Sequence, residues 1–128
     1  MKRITFLTLA EVIEIHNDQI RRYGGAHGLR DIALLSSALA MPYASFSGEL
    51  QHADIIDMAA AYAFHISQNH PFIDGNKRTA LASALVFLDM NGIRISDPSG
   101  DLFDAMISIA TGKMNKTAFA ILLRSLKE

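Results

Sequence analysis

Eleven residues, HPFIDGNKRTA from His70 to Ala80, gather an imidazole, a carboxylate, an amide and two cations between two long apolar segments. Asp74-Gly75-Asn76 has the composition of a turn. Asn76 can cap a following helix and leave the N–H groups of residues 77 to 79 without intrahelical partners. Lys77 and Arg78 then stand where the helix dipole is already positive, a conflict of a few tenths to about 1 kcal/mol each. Phosphate at that point resolves it, because one anion satisfies the N–H groups, the dipole and both side chains. Asp74 places a single carboxylate beside such phosphates, which suits Mg²⁺, an ion that keeps several waters and few protein ligands. His70 adds a group that accepts a proton near neutral pH.

Each of these residues has a plainer reading. His70 can end a helix, Asp74 can serve only the turn, and Lys77 and Arg78 can be solvated charges. Their joint occurrence between His70 and Arg78 favours a site. The other histidines are weaker candidates: His16 and His65 fall on apolar helical stripes and read as core, His27 and His52 as loop or surface. His65 and His70 lack the H-E-x-x-H spacing of a zinc helix, and GNKRT lacks the G-x-x-x-x-G-K-[ST] spacing of a phosphate-binding P-loop.

The elements that position the loop follow from periodicity. Thr8 and Glu11 form the T-x-x-E pattern that caps a helix start. Leu9, Val12, Ile13, His16, Ile20 and Tyr23 continue on one helical face to Gly24-Gly25. A turn through Gly28 leads to a helix over 30–40, closed by Pro42, and residues 43–49 read as loop. Residues 52–69 and 79–90 are apolar on nearly every face, which predicts two central helices surrounded by others. Two amphipathic helices follow, one through Leu102, Phe103, Met106 and Ile109, the other through Phe119, Leu122 and Leu126 with Asn115 as its cap. Residues 3–6 and 93–95 are short enough to pair as a minor β element in an otherwise all-α chain.

Composition limits the partners. The chain has 128 residues, half of them apolar and a fifth charged, which predicts one globular domain over 1–128 that buries roughly two-thirds of its unfolded surface. A formal net charge of −1 gives no reason to expect nucleic acid. Cysteine is absent, so no disulfide or thiolate chemistry is available, which fits a reducing cytoplasm. Glu11 and Glu14 interrupt the N-terminal apolar run before a signal-peptide core forms, and no apolar run approaches the ~20 residues that span a bilayer.

The loop resembles the Fic/Doc family, whose motif HPFx[DE]GNGRxxR binds a nucleotide between two central helices. His70, Pro71, Phe72, Asp74, Gly75, Asn76 and Arg78 match it. RRYGG (21–25), GLRD (28–31) and VFLDMNG (86–92) extend the likeness to the death-on-curing (Doc) toxin branch. Lys77 replaces the motif's second glycine and Leu81 its second arginine, groups that adenylyl transfer in the wider family uses to approach and hold the phosphates. The resemblance therefore implies a Fic-fold helical bundle that binds ATP in the reversed direction and transfers its γ-phosphoryl. The substrate it implies is a threonine of translation elongation factor Tu, and the outcome arrested translation.

Within that resemblance, His70 is the general base, worth about 10²- to 10⁴-fold. Asp74 holds Mg²⁺ or orients His70 and substrate, and Gly75, Asn76, Lys77 and Arg78 bind the nucleotide's phosphates. Tyr43, Ala44, Ser45, Phe46, Ser47, Gly48 and Glu49 correspond to the substrate-docking flap. Arg30 and Asp31 match the branch without an assigned role; a salt bridge fixing their turn is one reading. The family's inhibitory motif [ST]-x-x-x-E-[GN] is not met, since Leu50 follows Glu49. Restraint in trans is then implied, by a Phd-type antitoxin whose C-terminal segment folds on binding. The alternatives are an AMP transferase of the same fold, a non-catalytic nucleotide- or antitoxin-binding module and, more remotely, a metal-dependent hydrolase.

Overall fold

The computed structural model describes residues 3–46, 49–50, 52 and 54–128. Thr8 opens α1 (Leu9–Tyr23) with the reciprocal cap that its sequence predicts: its hydroxyl accepts the Glu11 N–H at 3.1 Å and the Glu11 carboxylate accepts the Thr8 N–H at 2.8 Å. Val12, His16 and Ile20 are its buried stripe. α2 (Ile32–Ala40) starts two residues later than expected because the carboxylate of Asp31 caps it, accepting the Leu34 N–H at 3.0 Å. Pro42 does not simply stop the chain. It lies in a 3₁₀ turn, Met41–Tyr43, near its start, where a missing N–H costs nothing.

The expected loop after this turn contains a short antiparallel hairpin, β1 (Ser45–Phe46) and β2 (Glu49–Leu50), with Ser45 opposite Leu50 and Phe46 opposite Glu49. Then come α3 (Ile55–Asn69), capped by Asp54, and α4 (Asn76–Met90), which begins a turn earlier than expected. α5 (Asp101–Ala110) and α6 (Lys116–Ser125) complete the bundle, α6 being capped by Asn115, whose side chain accepts the Ala118 N–H at 2.8 Å.

The architecture is all-α around α3, which packs against α2, α4, α5, α6 and the 3₁₀ turn. Met58 to Ala63 are buried without interruption, so a helix with no polar face sits where it has neighbours on all sides. α4 departs from the expected symmetry. Thr79, Ala80, Ser83, Ala84, Phe87 and Leu88 are buried, whereas Val86, Asp89 and Met90 face outward; two exposed apolar residues make a one-sided helix read as a central one. Fully buried alanines at 59, 60, 63, 80 and 84 belong to the α3 and α4 pair, the most extensive helix contact of the fold. Tyr62 of α3 stacks obliquely on Phe87 of α4 at 4.9 Å, and its hydroxyl accepts the Leu7 N–H at 2.9 Å, fixing the N-terminal segment to the core.

That segment is not a strand. The Asn91 amide takes both main-chain polar groups of Thr5, donating to its carbonyl and accepting its N–H, each at 2.9 Å. Ile95 pairs instead with Lys127 in an isolated bridge. Among the described residues no helix is long and apolar enough to cross a membrane.

Candidate active site

The polar loop joins α3 to α4 by a tightly determined path. His70 ends α3 in the left-handed conformation, φ 49 and ψ 55, with its N–H donating to the Ile66 carbonyl at 3.2 Å. Phe72 is buried, and the Asn76 side chain closes on its main chain from both sides: Oδ1 accepts the Phe72 N–H and Nδ2 donates to the Phe72 carbonyl, each at 2.9 Å. The His16 ring lies under Phe72 in parallel, with centroids 3.9 Å apart at 4°. A carbonyl only accepts, so the 2.8 Å contact from His16 Nε2 to the Asp74 carbonyl makes Nε2 the protonated nitrogen.

Residues 28–31 run antiparallel to the loop. Leu29 bridges Phe72, the Ile73 N–H donates to the Gly28 carbonyl at 3.0 Å, and the N–H groups of Arg30 and Asp31 both donate to the Pro71 carbonyl at 2.7 and 3.0 Å. The Arg30 guanidinium donates from Nε to the His70 carbonyl at 2.8 Å and from Nη2 to the Asn69 carbonyl at 3.2 Å. Arg30 and Asp31 therefore form no salt bridge with each other; one holds the end of α3 and the other caps α2.

Asp74 is exposed and both its carboxylate oxygens are oriented by main chain, Oδ2 accepting the Ala26 N–H at 3.2 Å and Oδ1 the Gly75 N–H at 2.9 Å. The Ala26 N–H first, and the Gly75 N–H with it, hold its carboxyl below the usual carboxylate range, with the charge of Arg78 adding to them. Gly25 must be glycine for this approach, since a Cβ there would stand 2.8 Å from Asp74 Oδ2. Each oxygen keeps lone-pair capacity beyond its one N–H bond, so the donor set is a single, ionised and oriented carboxylate, which fits Mg²⁺ better than a metal that needs a full protein cage. Among the described residues no three His, Cys, Asp or Glu side chains gather as a metal cluster.

Gly75, at φ 73, is the residue that caps α4, and no side chain caps that helix end. The Thr79 N–H is the first to reach back, to the Gly75 carbonyl at 2.9 Å, so the N–H groups of 76 to 78 lack intrahelical acceptors. This corrects the sequence expectation for Asn76 twice. It is the first residue of the helix and not its cap, and its side chain holds the Phe72 main chain, while its own N–H is left without an intrahelical acceptor. Lys77 is exposed, and Arg78 is seated with its guanidinium carbon 5.1 Å from the centre of the Tyr23 ring.

His70, Asp74, Gly75, Asn76, Lys77 and Arg78 all line one cavity of about 520 Å³. Ser67, Gln68, Ile73, Phe103 and Ala110 complete its wall. Sequence reasoning passed over these. Ser67 is one helical turn before His70, a visible relationship, and the Gln68 amide donates to the Ile109 carbonyl at 3.1 Å, fastening α3 to the end of α5. Phe103 reads as inner stripe but is 41% exposed at the cavity wall.

Of the expected flap, Tyr43 and Ala44 do not line this cavity, and the Tyr43 ring packs edge-on against Phe6 at 5.3 Å. Ser47 and Gly48 lie outside the described residues. His52, expected in a loop or at the surface, lies in the loop before α3 but is buried: its Nε2 and that of His65 accept from the Lys116 ammonium at 3.0 and 3.3 Å.

Residues 6–88 match the Fic/DOC family. The span takes in α1 to α3, every polar loop residue named above and all of α4 but its last two residues, and stops before α5. "Protein kinase doc" of Escherichia phage P1 is 36% identical over 116 residues, covering 91% of this chain and 90% of that protein. "Toxin Doc" of Mycolicibacterium smegmatis is 40% identical over 74 residues, covering 58% and 57%.

Proposed function

Because the chain belongs to the Fic/DOC family, we propose that it is the toxin of a toxin–antitoxin pair, a kinase that moves the γ-phosphoryl of ATP to a Ser or Thr hydroxyl of elongation factor Tu and so arrests translation in the cytoplasm. The observation that carries this reading is one cavity with His70 on its wall and the unpaired start of α4, flanked by Lys77 and Arg78, on the same wall. A phage relative bearing the name "Protein kinase doc" supports the phosphoryl over the adenylyl reading.

In this proposal His70 removes the proton from the acceptor hydroxyl as its oxygen forms the new bond to the γ-phosphorus. The bond from that phosphorus to the β,γ-bridging oxygen breaks and ADP leaves. The N–H groups of 76 to 78, Lys77 and Arg78 oppose the charge on the transferred group, where phosphoryl transfer gains most of its acceleration. Asp74 would hold Mg²⁺, which would supply positive charge against the phosphates. Gly75 sets the helix start, and the segment Tyr43–Glu49 docks the protein substrate. A Phd-type antitoxin, folding its C-terminal segment on this surface, restrains the activity.

Incubation of the purified chain with elongation factor Tu and ATP labelled at the α or the γ position tests the proposal. Label from the γ position alone on elongation factor Tu is the expected result, lost in His70→Ala and Asp74→Ala. Label from the α position makes the chain an AMP transferase. Unlabelled acceptor, with growth inhibition unchanged in His70→Ala, makes it a binding module.

A further inference from the structure

We propose that Arg30 is a positioning residue for the catalytic imidazole: its guanidinium locks the left-handed end of α3 and thereby aims His70 into the cavity. This rests on the reading of His70 as the general base. Among the described residues His70 is the only non-glycine with a positive φ, a conformation that an L-residue adopts only against resistance from its own Cβ. Helices that end this way use glycine, which has no such resistance. Here a side chain is needed at the turn, so the conformation must be held from outside.

Arg30 is placed to hold it. The last carbonyls of a helix have no intrahelical donor, and Arg30 supplies two of them, those of His70 and Asn69, from one planar group. The cation also meets the negative end of the α3 dipole. The base of the side chain is pinned to the same loop, since the Arg30 N–H donates to the Pro71 carbonyl at 2.7 Å. Main chain and guanidinium thus grip three successive carbonyls, 69, 70 and 71. Among the described residues Arg30 forms no ion pair, and the adjacent Asp31 is engaged with the start of α2, so the guanidinium is committed to these carbonyls. Arg30 is itself exposed, so its removal leaves no cavity in the core. A lysine at 30 keeps the charge and loses the fork.

The test compares the full chain with Arg30→Ala, Arg30→Lys and Arg30→Gln. The first readout needs no reaction: ¹H–¹³C spectra of histidine-labelled protein without nucleotide, with the His70 signal assigned from His70→Ala. One sharp His70 signal is expected in the parent, and a shifted or broadened one in all three variants, while the His16 signal stays in place. The second readout is phosphoryl transfer to elongation factor Tu with Mg²⁺ and ATP. Here kcat is expected to fall about 10- to 100-fold in Arg30→Ala, as for a catalytic group misplaced by about 1 Å. KM for ATP should change less than about twofold, and lysine should fail to restore kcat. An unchanged His70 signal with unchanged kcat overturns the proposal. So does a fall in kcat and a rise in KM that track a lowered melting temperature, or full rescue by lysine. If the parent transfers no phosphoryl group, the functional reading above fails, and the His70 spectra still decide whether Arg30 sets that side chain.

Discussion

Asn76→Ala separates a residue that shapes the loop from one that touches nucleotide. The Asn76 side chain is 5% exposed and Phe72 1% exposed, and the two bonds between them are each 2.9 Å. Alanine leaves the Phe72 N–H and carbonyl buried without partners, at about 1–3 kcal/mol for each group, so about 2–6 kcal/mol in all. A domain of this size has only ~5–15 kcal/mol of total stability. With a urea dependence of about 2 kcal/mol per molar, the unfolding midpoint should fall by about 1–3 M. The chain has no tryptophan, so far-ultraviolet circular dichroism is the suitable probe. Asn76→Asp should not rescue, because it keeps the acceptor for the Phe72 N–H but sets a carboxylate against the Phe72 carbonyl. A midpoint within about 0.3 M of the parent, together with lost ATP binding, would refute the reasoning and return Asn76 to the phosphate-gripping role that its motif position implies.

Acidification should destabilise the fold through His52 and His65. Burial, reinforced by the Lys116 ammonium, lowers both imidazoles, His65 to about 4 from its ordinary 6.5. The folded state therefore resists protons that the unfolded chain accepts, so this contribution is complete above pH 6.5 and is lost as pH falls towards 4. Urea midpoints at pH 7 and pH 5 measure the loss, and Lys116→Met should raise the His65 pKa part of the way back; a His65 signal titrating near 6.5 in the folded parent contradicts this. Tyr62→Phe removes the acceptor for the buried Leu7 N–H and should destabilise by about 1–3 kcal/mol in urea melts, with the helical spectrum retained. Gly75→Ala places a Cβ at φ 73 and 3.0 Å from the Ile20 Cδ1, so it should lose about 1–2 kcal/mol and weaken Mg²⁺–ATP binding by calorimetry as the N–H groups of 76 to 78 are re-aimed. Unaltered affinity and stability would mean that Gly75 does not set the start of α4.

Much of the fold and the candidate site was legible in one dimension because the interactions involved span only a few residues. Thr8 with Glu11, Asn115 with Ala118, and the crowding of cations at the start of α4 are all local facts of capping and dipole, and they appear in the structure where the spacing puts them. The all-round apolar run of 55–66 likewise announced a surrounded helix. What the tertiary structure alone decided are the partners of groups that have several local options. Asn91 closes on Thr5, 86 residues away, where β pairing of 3–6 with 93–95 was the sequence expectation. His16 reaches the Asp74 carbonyl across 58 residues and Arg30 the His70 carbonyl across 40, and Tyr23 meets Arg78. An imidazole on an apolar stripe, or an arginine in a turn, reads the same whether it fills space or holds a loop. The difference lies in the relative rotation of α1, α3 and α4, which is set by the packing of many side chains at once and is written at no single position.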